Sequence, residues 1–197
     1  MKTLFLALLF SSIAILHGEE ENYMSEFYKD FDKVSAKYRK GFAEAVLSAD
    51  KVTIHLVKFD SGKDIEFYPD LFDDAEGKIV VSPYKSHVET ISSNTLNEED
   101  KTHFLKMFSS QVSKEKHSGG AMCHFPIHGV KIYKDDQIVY QGTFCWVCHN
   151  FGIGYPIGTS WLDTSKELKA FFTKRLPIPK EELDRFHKKW PGAKPKK

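Results

Sequence analysis

The chain has 197 residues, with 28 Lys and Arg against 27 Asp and Glu, and three cysteines. That length suits one domain with its own hydrophobic core, and the composition is globular rather than disordered, collagenous or coiled-coil. The even charge balance removes the electrostatic case for a nucleic-acid binder or a strongly basic membrane binder.

Met1-Lys2 is followed by an apolar run from Leu4 to Leu16 and then by Gly18-Glu19-Glu20-Glu21. The run is too short to span a bilayer comfortably but matches the apolar region of a secretory signal. Residues 1–18 are therefore expected to be removed, with cleavage after Gly18, or after Ala14 as the competing site. The product is then secreted or periplasmic and charge-neutral, because the leader holds one Lys and no acid. No later segment is long and apolar enough to be a stable membrane span.

Residues 19–190 read as a single α+β domain, with 191–197 as a basic tail. Tyr23, Phe27, Phe31, Val34, Tyr38, Phe42 and Ala45 recur at steps of three and four, which predicts a long amphipathic N-terminal helix with an aromatic core face. Lys51–Asp60 reads as a strand, with a possible return over Ile65–Tyr68 after the Ser61–Asp64 turn. The acidic stretch from Pro69 to Gly77 lacks the ligand spacing of a calcium loop and reads as solvated. Ile79–Val81 and Tyr84–Ile91 are further strands. Asn97 opens a second helix whose inward face is Phe104, Leu105, Phe108 and Val112.

Val130–Lys134 and Gln137–Phe144 form a hairpin about Asp135-Asp136. Asn150–Ser160, with Gly152, Gly154, Pro156 and Gly158, reads as a surface loop because no nucleotide fingerprint follows it. Thr164 with Glu167 makes a capping box for a third helix through Leu168, Phe171, Phe172 and Leu176, and a last helix carries Leu183, Phe186 and Trp190. Helices mixed with hairpin-linked strands give an α+β fold with a mostly antiparallel sheet, a long N-terminal helix and C-terminal helices.

The chemistry concentrates at the open end of that hairpin. Its two flanks are Cys123-His124-Phe125-Pro126-Ile127-His128 and Cys145-Trp146-Val147-Cys148-His149. A two-residue turn with Lys134 facing Gln137 sets His128 opposite Thr143, and extends to set Cys123 opposite Cys148. Three chemistries fit. Cys145 and Cys148 with Cys123 and a histidine form a Cys₃His set suited to zinc, with His128 ahead of His124 and His149 as the imidazole ligand. Alternatively Cys123 and Cys148 form a disulfide and leave Cys145 over, or Cys145 bridges Cys148 locally as in thiol redox motifs. The third chemistry is haem: the five residues from Cys145 to His149 resemble the haem c attachment motif of c-type cytochromes. That resemblance implies thioethers at Cys145 and Cys148 and an axial His149.

No hydrolase elbow or zinc-protease motif is present, so no catalytic residue is assigned. The Cys-His-x-Pro-x-His hairpin followed by Cys-x-x-Cys resembles small uncharacterised exported bacterial proteins. The resemblance implies secretion and the residue cluster but no mechanism. The expected function is an exported binding or structural protein with a Cys/His site holding zinc or a disulfide, and with a protein or small molecule as partner. A haem electron-transfer protein and a thiol-dependent redox enzyme are the alternatives.

Overall fold

The computed structural model describes residues 30–58, 74–81, 86–114, 116–117, 124–155 and 158–189. The expected signal segment, the strand at Ile65–Tyr68, Cys123, Trp190 and the basic tail lie outside them. The chain divides into two compact units, Met1–Arg39 and Lys40–Lys197. The N-terminal helix, α1, is described over residues 30–45, and Val34 of its expected apolar stripe is 54% exposed.

The second unit is built on a seven-stranded antiparallel sheet. Its strands are β1 Lys51–Val57, β2 Lys78–Val81, β3 Ser86–Thr95, β4 His128–Lys134, β5 Gln137–Cys145, β6 Asn150–Tyr155 and β7 Gly158–Asp163, in spatial order β2-β3-β1-β4-β5-β6-β7. Three helices follow the strands in the chain or interrupt them: α2 Glu98–Val112, α3 Lys166–Arg175 and α4 Lys180–Lys189. The α+β architecture with an antiparallel sheet is the one the residue pattern predicts.

One face of the sheet meets the helices through an aromatic core. Phe104 and Phe108, one turn apart on α2, stack at 5.6 Å. Phe108 reaches Tyr140, Phe144 and Phe151 on the sheet, and Phe104 reaches Phe171 and Phe172 on α3. Phe104, Phe108, Phe144, Phe151 and Phe172 are all fully buried. Burial of this many large rings is the main stabilising term for the unit. Local caps agree with it: the Asn97 side chain accepts from Asp100 N at 2.8 Å at the start of α2.

The opposite face is covered in part by β2. Strand β3 is long enough to pair with β1 over Thr90–Thr95 and with β2 over Ser86–Glu89, so it carries β2 over the sheet. There Val80 N donates to Gln141 Oε1 of β5 at 3.2 Å. A Cβ added to Gly129 would lie 2.6 Å from Ile79 Cδ1 and 3.2 Å from the Gly142 carbonyl, so the glycine leaves room for the Ile79 side chain to pack on the sheet.

Several boundaries differ from the sequence reading for identifiable reasons. Strand β3 runs on through Ser92-Ser93-Asn94-Thr95, which carry no apolar signal because they are exposed; Thr53 and Thr95 hydrogen-bond across the pair at 3.1 Å. The glycine-rich segment is not a loop but the β6–β7 hairpin. Its Phe151 and Ile153 are buried, and the alternating glycines masked that period of two. Helix α3 is capped by Ser165, whose side chain accepts from Leu168 N at 3.1 Å, rather than by Thr164.

Candidate functional site

The β4–β5 hairpin turns through Asp135 and Asp136, both left-handed with φ of 51° and 59°, as a two-residue reverse turn demands. Asp50 braces it, accepting from Asp135 N at 2.7 Å and from Lys134 Nζ at 3.1 Å. Lys134 faces Gln137 and Tyr133 faces Ile138, as expected, but a bulge then shifts the register by one residue. His128 consequently faces Phe144, not Thr143, and Gly129 takes the place opposite Thr143. A bulge leaves no sequence signature without a glycine to mark it, which is why a straight count misplaces the far end.

The extra residue is Val139 on β5, so the alternation of β4 is unbroken and His128, in step with Val130 and Ile132, takes the helix-facing side. Its ring lies 5.3 Å from that of Phe172, and Trp146 stacks on Phe144 at 5.3 Å. Trp146 Nε1 donates to His128 Nδ1 at 2.8 Å, while the other ring nitrogen, Nε2, sits 2.8 Å from the Leu176 carbonyl. An indole N–H only donates and a carbonyl only accepts, so the ring is neutral with its proton on Nε2. Burial, partly opposed by the Leu176 bond, pulls its pKa down to about 4. Both nitrogens are thereby engaged, and no lone pair of His128 is left for a metal.

His124, on the segment entering β4, occupies the other face. Its Nδ1 is 2.7 Å from Asn150 Oδ1 and its Nε2 is 2.8 Å from Thr143 Oγ1. With the amide oxygen accepting, the proton sits on Nδ1 and Nε2 accepts from the hydroxyl, the opposite tautomer to His128. Burial again brings the pKa to about 4, and the Asn150 bond works against it. Trp161 packs 5.0 Å from the ring. The hydroxyl–imidazole–amide order has the look of a nucleophile with its base, but Thr143 is completely buried and offers no surface to a substrate.

The pentapeptide from Cys145 to His149 is the end of β5 and a tight turn into β6, with Cys145 paired to Asn150. Cys145 is free and fully buried. Its sulfur accepts the backbone N–H of Cys148 at 3.1 Å. Cys148 is half-buried and disulfide-bonded. His149 is exposed in a left-handed conformation, φ 55°, where the turn reverses. Haem attachment at this pentapeptide would require both Cys145 and Cys148 as thiols.

Comparison with protein families, curated proteins and solved structures gives no match. The site therefore has to be read from its own donors. Among the described residues no three His, Cys, Asp or Glu side chains come together as a metal-binding group. Of the expected zinc set, Cys145 and Cys148 lie side by side in the turn, His128 is held by Trp146 and Leu176, and Cys123 is outside the described residues.

Sequence reasoning missed the partners that saturate the histidines, namely Trp146, Thr143, Asn150 and a helix-end carbonyl. It also passed over a buried polar group on the β2-covered face. Lys131 Nζ bonds Asp74 Oδ1 at 2.5 Å and the Ala75 carbonyl at 3.2 Å. Nearby His55 is 8% exposed, and neither ring nitrogen has a hydrogen-bond partner. Its pKa falls to about 4, mainly through burial and then through the Lys131 charge, with Asp74 opposing.

Proposed function

We propose that the protein is exported and acts as a non-enzymatic binding or structural module, in which the Cys/His hairpin is a disulfide-anchored structural site rather than a zinc centre. The double engagement of His128 is the observation that carries this reading. Zinc would need a histidine lone pair, and those of His128 and His124, two of the three candidate ligands, are already given to Trp146 and Thr143. With three cysteines in the chain and Cys145 free, the partner of Cys148 is Cys123. This bridge ties the segment entering β4 to the β5–β6 turn and closes a loop of about 26 residues, for which the chain-entropy model gives a stabilisation of about 3.5 kcal/mol.

The free Cys145 is then a core residue, consistent with its complete burial. Export supplies the oxidising compartment in which such a bridge persists. The partner is a protein or small molecule met outside the cytoplasm.

Intact mass, metal analysis and thiol counting on protein recovered from the exported fraction test the reading together. The expected product lacks residues 1–18, carries no stoichiometric metal, and has one thiol that reacts only after denaturation. Stoichiometric zinc that is lost on chelation and on Cys145→Ser would overturn it.

A further inference from the structure

We propose that the β2-covered face of the sheet binds a small monocarboxylate, with Lys131 as its cationic anchor, His55 as a second hydrogen-bond donor, and the Asp74 side chain as an internal stand-in that the ligand displaces. The inference goes beyond the disulfide reading of the hairpin and does not depend on it.

Strand alternation gathers this face. Thr53 and His55, two apart on β1, lie opposite Lys131 and Gly129 of β4, which in turn lie opposite Gln141 and Thr143 of β5. Ten polar or charged residues are buried among those described, and six of them belong here: His55, His124, Lys131, Gln141, Thr143 and Asn150. A purely structural core minimises such groups because each needs a partner, whereas a ligand site is built from them. His124 is satisfied by Thr143 and Asn150, and Gln141 accepts from Val80 N. His55, only 8% exposed, has neither ring nitrogen bonded.

Lys131 indicates what the face takes. Its ammonium reaches Asp74 Oδ1 at 2.5 Å and the Ala75 carbonyl at 3.2 Å, which uses two of its three N–H donors. The Lys131 side chain is 5% exposed and that of Asp74 is 52%, so the carboxylate can turn into water while the ammonium stays. His55 and Lys131 are diagonal neighbours on the β1–β4 pair, a separation of about 7–8 Å that long side chains span. Both Lys131 and Asp74 act on the charge state of His55. Its neutral ring carries one N–H, which Asp74 does not engage. A ligand carboxylate in place of Asp74 gains that donor as well as the ammonium. One buried cation balances one negative charge, which favours a monocarboxylate over a phosphate dianion. An orphaned imidazole costs stability, as groups kept for binding commonly do.

The test titrates the mature chain with acetate, propionate and inorganic phosphate at constant ionic strength and follows the histidine ring signals by NMR, with the His55→Leu variant identifying the signal of His55. Acetate and propionate are expected to shift that signal saturably. They should also raise the pH at which the ring titrates, because a bound anion favours the imidazolium. Asp74→Asn, at an exposed position, should tighten acetate binding by up to about fivefold, the worth of the half-exposed ion pair that competes with it. Lys131→Met should abolish binding. The native chain and Asp74→Asn decide the matter even where Lys131→Met fails to fold. No saturable shift with either carboxylate overturns the site, and phosphate bound in preference overturns the ligand class. Unchanged or weaker binding by Asp74→Asn overturns the displacement of Asp74.

Discussion

Trp146 and His128 form one hydrogen bond of 2.8 Å, and it fixes which nitrogen of the imidazole holds the proton. With the Leu176 carbonyl on the other side, the ring joins the β5–β6 turn to the end of α3. Three elements far apart in sequence thus meet at one neutral histidine.

Trp146→Phe keeps a ring on Phe144 but deletes the indole N–H that donates to His128 Nδ1. A buried acceptor left without its partner costs about 1–3 kcal/mol, and the lost indole volume adds to that. Urea unfolding should therefore show a loss of about 2 kcal/mol or more. A loss under about 0.5 kcal/mol, the range of an ordinary surface substitution, would show that the bond contributes nothing.

Acid should destabilise the fold in two stages. His55, His124 and His128 all have folded pKa values near 4 against an ordinary 6.5, because burial disfavours the imidazolium. The unfolded chain binds more protons than the native one between those two values. Stability is therefore full above about pH 6.5, falls as pH drops toward 4, and loses nothing further from these groups below that. Each histidine contributes at most about 3 kcal/mol over the window. Below it, Asp100, whose carboxyl Arg175 holds low, and Asp50, held low by Asp135 N–H and Lys134, begin to lose their own contribution. Unfolding free energies measured at pH 7.5, 6, 5 and 4 check this, and a flat profile would contradict it.

What the sequence made legible was periodic. Helix α2 with its Asn97 cap, the Asp135-Asp136 turn and the strand from Lys51 all follow from apolar spacing and turn chemistry. The site was half legible. Cysteine and histidine types marked the hairpin end, but their roles depend on groups with no distinctive signal: a backbone carbonyl at Leu176, a threonine and an asparagine. The one-residue bulge on β5 set His128 opposite Phe144 in place of the expected Thr143, and only tertiary packing decides that.

Gly129 shows the same dependence on tertiary approach. It sits mid-sheet, where glycine is ordinarily a cost, yet Ile79 and the Gly142 carbonyl leave a Cβ only 2.6 and 3.2 Å of room. Gly129→Ala must turn the Ile79 side chain out of its place and crowd the Gly142 carbonyl. Thermal unfolding should register a loss of about 1–3 kcal/mol, the usual range for overpacking. Pairing it with Ile79→Val should return part of that loss; strict additivity of the two would show that the clash is not with Ile79.

His55 is expected to behave in the opposite sense, because its substitution removes a liability. Both of its nitrogens are buried and unpartnered, and at neutral pH the ring carries no charge that Asp74 could hold. His55→Leu keeps the side-chain volume and removes two unsatisfied polar atoms, so it should stabilise the fold by about 1 kcal/mol at pH 7.5. It should also shallow the acid slope, since one of the three depressed histidines is gone. Urea titrations of the variant at pH 7.5 and pH 5 read both effects. A destabilised His55→Leu protein with an unchanged slope would mean that the imidazole is hydrogen-bonded in solution.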